Sequence, residues 1–283
     1  MKAGFNLLLW TGNVTEEHLP LIEQLASWGV EGLEFPIFDP NGSPWEKLAA
    51  KLKELNLGST AVAVMPEGTS LISEDAAQRK AGVEHLKRVT DAAAKLGADN
   101  ICGPIYNPVG ALIGRGPNAD EKSRCVDCLR EAGEYAAQAQ IDLVVEPLNR
   151  FETFFLNTQA DTVALLERIG LDNLGSLYDT FHANIEETDI VEAIRTGGKW
   201  IKHVHTCANH RGTPGDDHIP WTDTFNTLQE IGYDGWLTIE SFGHRIPELA
   251  GATCIWRQVA PSEEHVVKEG TRHIRNVWKA CKA

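Results

Sequence analysis

Residues 169–179 read IGLDNLGSLYD: an apolar residue, a glycine, a spacer and an acid, followed by a short apolar run that stops on a carboxylate. Glycine suits the left-handed position that closes a helix, so the stretch reads as a helix end turning into a strand, Gly175–Asp179. The same helix-end signature recurs at Trp28-Gly29-Val30-Glu31, Leu96-Gly97-Ala98-Asp99 and Ile231-Gly232-Tyr233-Asp234. Other strand-length apolar runs occur at Gly4–Leu9, Gly32–Phe35, Ser59–Val64, Asn100–Gly103, Leu143–Glu146, Ile201–Thr206 and Trp236–Ser241, with helical periodicity between them. Eight strand–helix units with no Gly/Pro/Ser-rich linker predict an α/β fold, a closed (β/α)8 barrel, as one domain over 1–283. Ser43-Pro44-Trp45-Glu46 reads as a capping box with Pro at the first helical position, and Ser73 precedes another helix. Pro20 inside the first helical pattern predicts a helix that starts late or bends.

The length of 283 residues fits one such barrel, which uses about 250. A formal charge of −14 without a Lys/Arg cluster argues against a nucleic-acid or anionic-membrane partner and favours a small polar substrate. No run approaches the roughly 18 apolar residues that span a bilayer. The opening MKAGFNLLLW is broken by Asn6 and lacks a small-residue cleavage site, so it reads as the first strand of a cytoplasmic protein. The six cysteines are too sparse and irregular for a disulfide framework, and Cys125-x-x-Cys128 reads as a structural thiol pair within a helix.

Four consecutive strands end in a potential metal ligand: Glu146, Asp179, His205 and Glu240. Consecutive strand ends are neighbours around one barrel mouth, so the four can converge without any short motif. Three carboxylates and one imidazole suit a hard cation such as Mn²⁺, Mg²⁺ or Co²⁺; without one, burial and repulsion leave a carboxylate pair sharing a proton. Glu152, His182 and Arg211 follow these strand ends, where a substrate would lie. The competing readings are a salt bridge from Arg211 to Asp216 or Asp217 and a helix-start hydrogen bond at His182. His203 shares a face with His205 one layer deeper and reads as a core histidine. Tyr106–Asn118 and Phe242–Ser262, after strands four and eight, are longer than plain connectors and read as walls or lids of a site.

VVEPLNRFE (144–152), LNT (156–158), YDTFHANIEE (178–187), HVHTCANHRGTPG (203–215) with His218-Ile-Pro-Trp221, and EIGYDGWLTIESF (230–242) resemble the ketose 3-epimerases of the xylose-isomerase-like barrels, the D-tagatose/D-allulose/L-ribulose group. The resemblance implies that Glu146, Asp179, His205 and Glu240 bind a divalent metal, with Mn²⁺ foremost and Co²⁺ or Mg²⁺ as alternatives. It also implies that Glu146 and Glu240 are the acid/base pair, that Glu152, His182 and Arg211 contact the sugar, and that the chain forms homodimers or homotetramers. Glu34 in GLEFP matches an acid near the site in the wider superfamily. Inversion at C3 of a ketose through a cis-enediolate needs bases on both faces of the carbon, and two strand-end glutamates supply them. The alternatives on the same barrel are an aldose–ketose isomerase, a keto-sugar dehydratase and a 3-keto-glycoside epimerase. An apurinic endonuclease would need further His ligands and a basic groove, and a plain sugar-binding protein would leave the two glutamates without chemistry. Gly212-Thr-Pro-Gly-Asp-Asp217 and Ser241-Phe242 depart from the family pattern, as do Phe154-Phe155 and Leu7–Trp10; they bear on the choice of ketose.

Overall fold

A parallel sheet whose strands are each returned by a helix on one and the same face can tilt and curl until its edges meet. In the computed structural model, which describes residues 1–281, strands β1 (Lys2–Asn6), β2 (Gly32–Pro36), β3 (Gly58–Val62), β4 (Asn100–Gly103), β5 (Asp142–Val145), β6 (Leu174–Asp179), β7 (Ile201–His205) and β8 (Trp236–Ile239) pair in chain order, and β8 closes onto β1. The expected (β/α)8 barrel is therefore present. Around it run α1 (Leu19–Ser27), α2 (Trp45–Glu54), α3 (Ala76–Leu96), α4 (Ala119–Gln138), α5 (Gln159–Ile169), α6 (Thr180–Glu186), α7 (Ile190–Gly197), α8 (Trp221–Glu230), α9 (Pro247–Thr253) and α10 (Glu263–Ala280). Gly29, Gly97, Gly170 and Gly232 all have positive φ, between 70° and 89°, as their helix-end signature requires.

The structure corrects three local readings and bears out a fourth. Leu7–Leu9 form a 3₁₀ turn, not the end of β1, because the Asn6 side chain accepts from Leu8 N at 2.8 Å and turns the chain. The first helix starts late, as Pro20 predicts: a 3₁₀ turn over Glu16–His18 precedes α1, and Pro20 sits in its first turn, where its missing N–H costs nothing. Pro44 is itself the N-cap of α2, and the Ser43 hydroxyl donates to Asn13 Oδ1 instead of capping. Ten helices are described rather than eight, because α6 precedes α7 between β6 and β7, and α9 lies in the segment after β8.

Apolar side chains form two separate cores. One fills the space between barrel and helices. The other lies inside the barrel, where Leu8, Val62, Cys102, Val144, Leu177, Phe242 and Ile255 pack together. Below it the Trp236 indole plugs the barrel, donating to Asp99 Oδ2 at 2.8 Å. A Cβ on Gly32 or Gly58 would fall 2.2 or 2.6 Å from that ring, so both positions must stay bare. All six cysteines are free, and no described helix is long and apolar enough to cross a membrane.

Overpacking of this kind costs about 1–3 kcal/mol, so Gly32→Ala should lower the urea-unfolding free energy by that much. The loss should shrink in a Trp236→Leu background; an equal loss in both backgrounds would exclude the plug as its cause.

Candidate active site

Period-two alternation sends every second residue of each strand into the barrel, and near the C-terminal mouth those residues are charged. Glu34, Asp179, His203 and His205, together with Glu146 and Glu240 just past their strands, are all buried. Buried charges persist only when they are compensated, and the compensation is built in two layers.

The lower layer centres on Glu34. Its Oε1 lies 2.7 Å from His205 Nε2 and accepts from Asn6 Nδ2 at 2.9 Å; its Oε2 lies 2.8 Å from His203 Nε2 and accepts from Thr60 Oγ1 at 2.9 Å. Burial alone would raise this carboxyl, but His205 and His203 together hold it well below the usual range. Asn6 Nδ2 also reaches Glu240 Oε1 at 3.2 Å and so links the two layers. His203 lies in the deeper layer, as its position in the strand predicts, with Asn100 Nδ2 3.4 Å from its Nδ1.

The upper layer centres on Arg211. Its Nη1 donates to Asp179 Oδ2 at 2.9 Å and to Glu240 Oε2 at 2.7 Å, and its Nη2 stands 3.0 Å from His182 Nε2. Its partners are therefore not Asp216 or Asp217; Asp217 accepts from Trp221 Nε1, and Asp216 lies beside His265. The guanidinium stacks 4.0 Å from the Phe181 ring centre. Asp179 does double duty, since its Oδ1 also caps α6 by accepting from Phe181 N at 2.6 Å. Against the raising effect of burial, Arg211, His182 and His205 hold Asp179 far below its ordinary value.

His182, on the first turn of α6, accepts from Asn149 N at 2.9 Å through Nδ1, and burial pushes it down to about 3, so it is neutral. Its Nε2 is 3.7 Å from Glu146 Oε1. Burial, and after it the charge of Glu240, raises Glu146 well above the carboxylate range. Glu152 accepts from Asn149 Nδ2 at 2.6 Å and is raised chiefly by burial.

The predicted ligands converge, but in two groups that share Asp179. Asp179, His205 and Glu240 cluster with Cys207, and Glu146 and Asp179 cluster with His182. His205 Nδ1 is buried without a hydrogen-bond partner, 3.5 Å from Glu240 Oε2 and 3.8 Å from Asp179 Oδ2, while Glu34 engages the other ring nitrogen. A histidine oriented by a carboxylate, with its free nitrogen aimed at two more, is a metal-ligand arrangement.

Glu146, Glu152, His182, Arg211 and Glu240 line one side of a cavity of about 440 Å³. Leu8, Phe38, Val62, Val64 and Met65 line another part, Pro108 and Val109 come from the segment after β4, and Phe242, Leu249 and Thr253 come from the segment carrying α9. Both long segments thus supply wall residues. Trp256 does not line it and is exposed.

The model of the xylose isomerase-like TIM barrel family matches residues 22–277. A ketose 3-epimerase of Arthrobacter globiformis is 32% identical over 285 residues, covering 100% of this chain and 98% of its own. The chain belongs to the ketose 3-epimerase family. It is accordingly a carbohydrate epimerase. A solved L-ribulose 3-epimerase superposes with a TM-score of 0.94 at 30% identity, over 99% of this chain and 95% of its own. The D-allulose 3-epimerase of Methylomonas sp., solved in complex with D-allulose, gives 0.92 at 28% identity, over 98% and 96%.

Sequence reasoning treated Glu34 only as a weak match and missed Cys207 and Asn6. Glu34 carried a signal, as the one charged residue in the otherwise apolar GLEFP. Removing one partner of a buried ionic cluster typically costs 3–5 kcal/mol, so metal-free Glu34→Gln should lose about that much unfolding free energy in urea. A loss under 1 kcal/mol would show that the two histidines do not depend on this carboxylate.

Proposed function

We propose that this epimerase inverts C3 of free ketoses, of the L-ribulose, D-tagatose and D-fructose/D-allulose kind, by proton exchange between two glutamates through a cis-enediolate. The observation that carries the reading is that Glu146 and Glu240, from strands on different parts of the rim, both open onto one cavity. A carbon held between them loses its proton to one carboxylate and regains one from the other on the opposite face; reversal exchanges the roles. In this reading His182, neutral and anchored by Asn149, and Arg211 hold the O1 and O2 end of the sugar. Glu152, held by Asn149 Nδ2, accepts a hydrogen bond from a sugar hydroxyl in the same reading.

The orphaned Nδ1 of His205, with Asp179 and Glu240 around it and Glu146 nearby, fits a divalent cation of the Mn²⁺, Co²⁺ or Mg²⁺ class. When bound, such an ion supplies polarisation of the C2 carbonyl and stabilises the charge that develops on the enediolate. The cavity favours neutral sugars over sugar phosphates. Among the described residues lining it, Arg211 is the one Lys or Arg, it is already bonded to two carboxylates, and Glu67 and Glu248 add negative charge at the rim.

Turnover in D₂O should place deuterium at C3 alone. Glu146→Gln and Glu240→Gln should each lose at least about 10²-fold in kcat, and a Glu240→Gln enzyme with undiminished turnover would overturn the two-base mechanism. Dialysis against a chelator should abolish epimerisation, and divalent metal should restore it. Ketose phosphates should be turned over at least about tenfold less efficiently than the free ketoses; equal kcat/KM would overturn the reading of the cavity's charge.

A further inference from the structure

Two of the residues assigned to the sugar, His182 and Glu152, meet at one side chain. Asn149 lies in the turn that follows β5, three residues past Glu146, and is buried. Its backbone is held in place, because its carbonyl accepts from Glu152 N at 3.0 Å and from Thr153 N at 3.1 Å. The orientation of its amide is fixed by two neighbours of opposite character. Phe151 N, a donor, lies 3.0 Å from one end of the amide, and Glu152 Oε1, a carboxylate oxygen, lies 2.6 Å from the other. The first end must be Oδ1 and the second Nδ2; turning the amide over would set N–H against N–H and oxygen against carboxylate.

With that orientation, Nδ1 of His182 faces two N–H donors, Asn149 N at 2.9 Å and Asn149 Nδ2 at 3.1 Å. A ring nitrogen that accepts carries no hydrogen, so the hydrogen of this imidazole sits on Nε2. Nε2 stands 3.0 Å from Arg211 Nη2, itself a donor, and 3.7 Å from Glu146 Oε1, beyond hydrogen-bond reach. Two N–H donors therefore stand side by side on the cavity wall, and among the described residues no acceptor bonds the one on the imidazole.

We propose that Asn149 is a positioning residue: by fixing His182 as the Nε2–H tautomer it makes that imidazole a hydrogen-bond donor to the sugar, and by holding Glu152 it sets an acceptor beside it. The inference rests on the sugar-contact reading above and assigns the polarity of each contact. Polarity matters because loss of the C3 proton puts negative charge on the C2 oxygen. A donor at Nε2 stabilises that charge, whereas the other tautomer would turn a lone pair toward it. The turn and α6 are joined a second time by the exposed Arg150, whose N and Nε donate to Glu186 Oε1 at 2.8 and 2.9 Å. Substitution can therefore separate the position of the turn from the polarity of the amide.

Histidine ¹⁵N spectra of the full-length protein in Mg²⁺ buffer read the tautomer directly, because ring nitrogens with and without hydrogen resonate far apart; His182→Gln identifies the signals. Wild type should show hydrogen on Nε2 and none on Nδ1. Adding whichever of D-fructose, D-tagatose and L-ribulose is turned over fastest should move the Nε2 signal more than the Nδ1 signal. The double variant Asn149→Asp/Glu152→Gln reverses the direction of the amide's bonds and should place hydrogen on Nδ1. Arg150→Gln should keep the wild-type tautomer, and Asn149→Ala should lower kcat/KM at least about tenfold. Hydrogen on Nδ1 in wild type, or the wild-type pattern kept in the double variant, would overturn the proposal. So would a changed tautomer in Arg150→Gln, undiminished kcat/KM in Asn149→Ala, or an Nε2 signal that ignores a ketose the enzyme turns over. The expected spectra without turnover of any of the three ketoses would overturn the sugar reading and leave the tautomer standing. The wild-type spectrum locates the ring hydrogen even if a variant folds poorly.

Discussion

Charge inside a barrel is the constraint on which this structure turns. Glu34, Glu146, Asp179 and Glu240 are all buried within reach of one another, where an uncompensated carboxylate is strongly disfavoured. The partners available to them are few: the cationic Arg211, with its guanidinium among Asp179, Glu240 and Cys207, and the imidazoles. Every other feature of the mouth follows from how those few donors are shared. Glu34 takes both buried histidines of β7, and Arg211 takes Asp179 and Glu240. Glu146 is left with the distant edge of a neutral His182 and a raised pKa.

That division has a functional consequence. The lower layer is closed: Glu34 is engaged by Asn6, Thr60 and two imidazoles, and it fixes the orientation of His205 from below. The upper layer is open: one nitrogen of His205 has no partner and two glutamates face a cavity. A carboxylate held by four neighbours beneath groups that open onto a cavity gives rigid support from below. Asn6 joins the layers by donating to Glu34 and Glu240 together, so the C-terminal end of β1 bears on a glutamate 234 residues later in the chain.

The barrel was legible because four of its units, those ending at Gly29, Gly97, Gly170 and Gly232, repeat the same local physics. A glycine at positive φ ends a helix, a short apolar run follows, and the next unit begins. The strand-end acids were legible for the same reason: one repeat separates each from the next, and closure makes them neighbours. Where a residue's role depends on tertiary return, the pattern was silent. Cys207 reads as an ordinary small buried residue until the loop brings its sulfur back onto Asp179. Leu7–Leu9 read as strand because hydrophobicity does not distinguish a buried 3₁₀ turn from an extended run, and the deciding atom is the Asn6 side-chain oxygen. Helix α9 spans seven residues, too few for periodicity to register, yet its segment closes one side of the cavity.

Arg211 shows how the loop itself is held to this task. Its φ is 61°, a left-handed conformation that a residue with a side chain adopts at a cost of about 1–3 kcal/mol. The strain is offset locally: Arg211 N donates to Ala208 O at 2.9 Å, and its carbonyl accepts from Ser241 Oγ at 2.6 Å and from Phe242 N at 3.4 Å. Ser241 and Phe242 immediately follow Glu240, and Phe242 also lies 5.0 Å from the guanidinium. The backbone that carries the guanidinium and the backbone that carries Glu240 are therefore tied together twice, and neither can shift without the other. Reading outward from that tie, the strained residue, the glutamate it pairs with and the aromatic ring beside them behave as one rigid unit. This unit fixes where Glu240 stands on the wall of the cavity that Glu146 also lines.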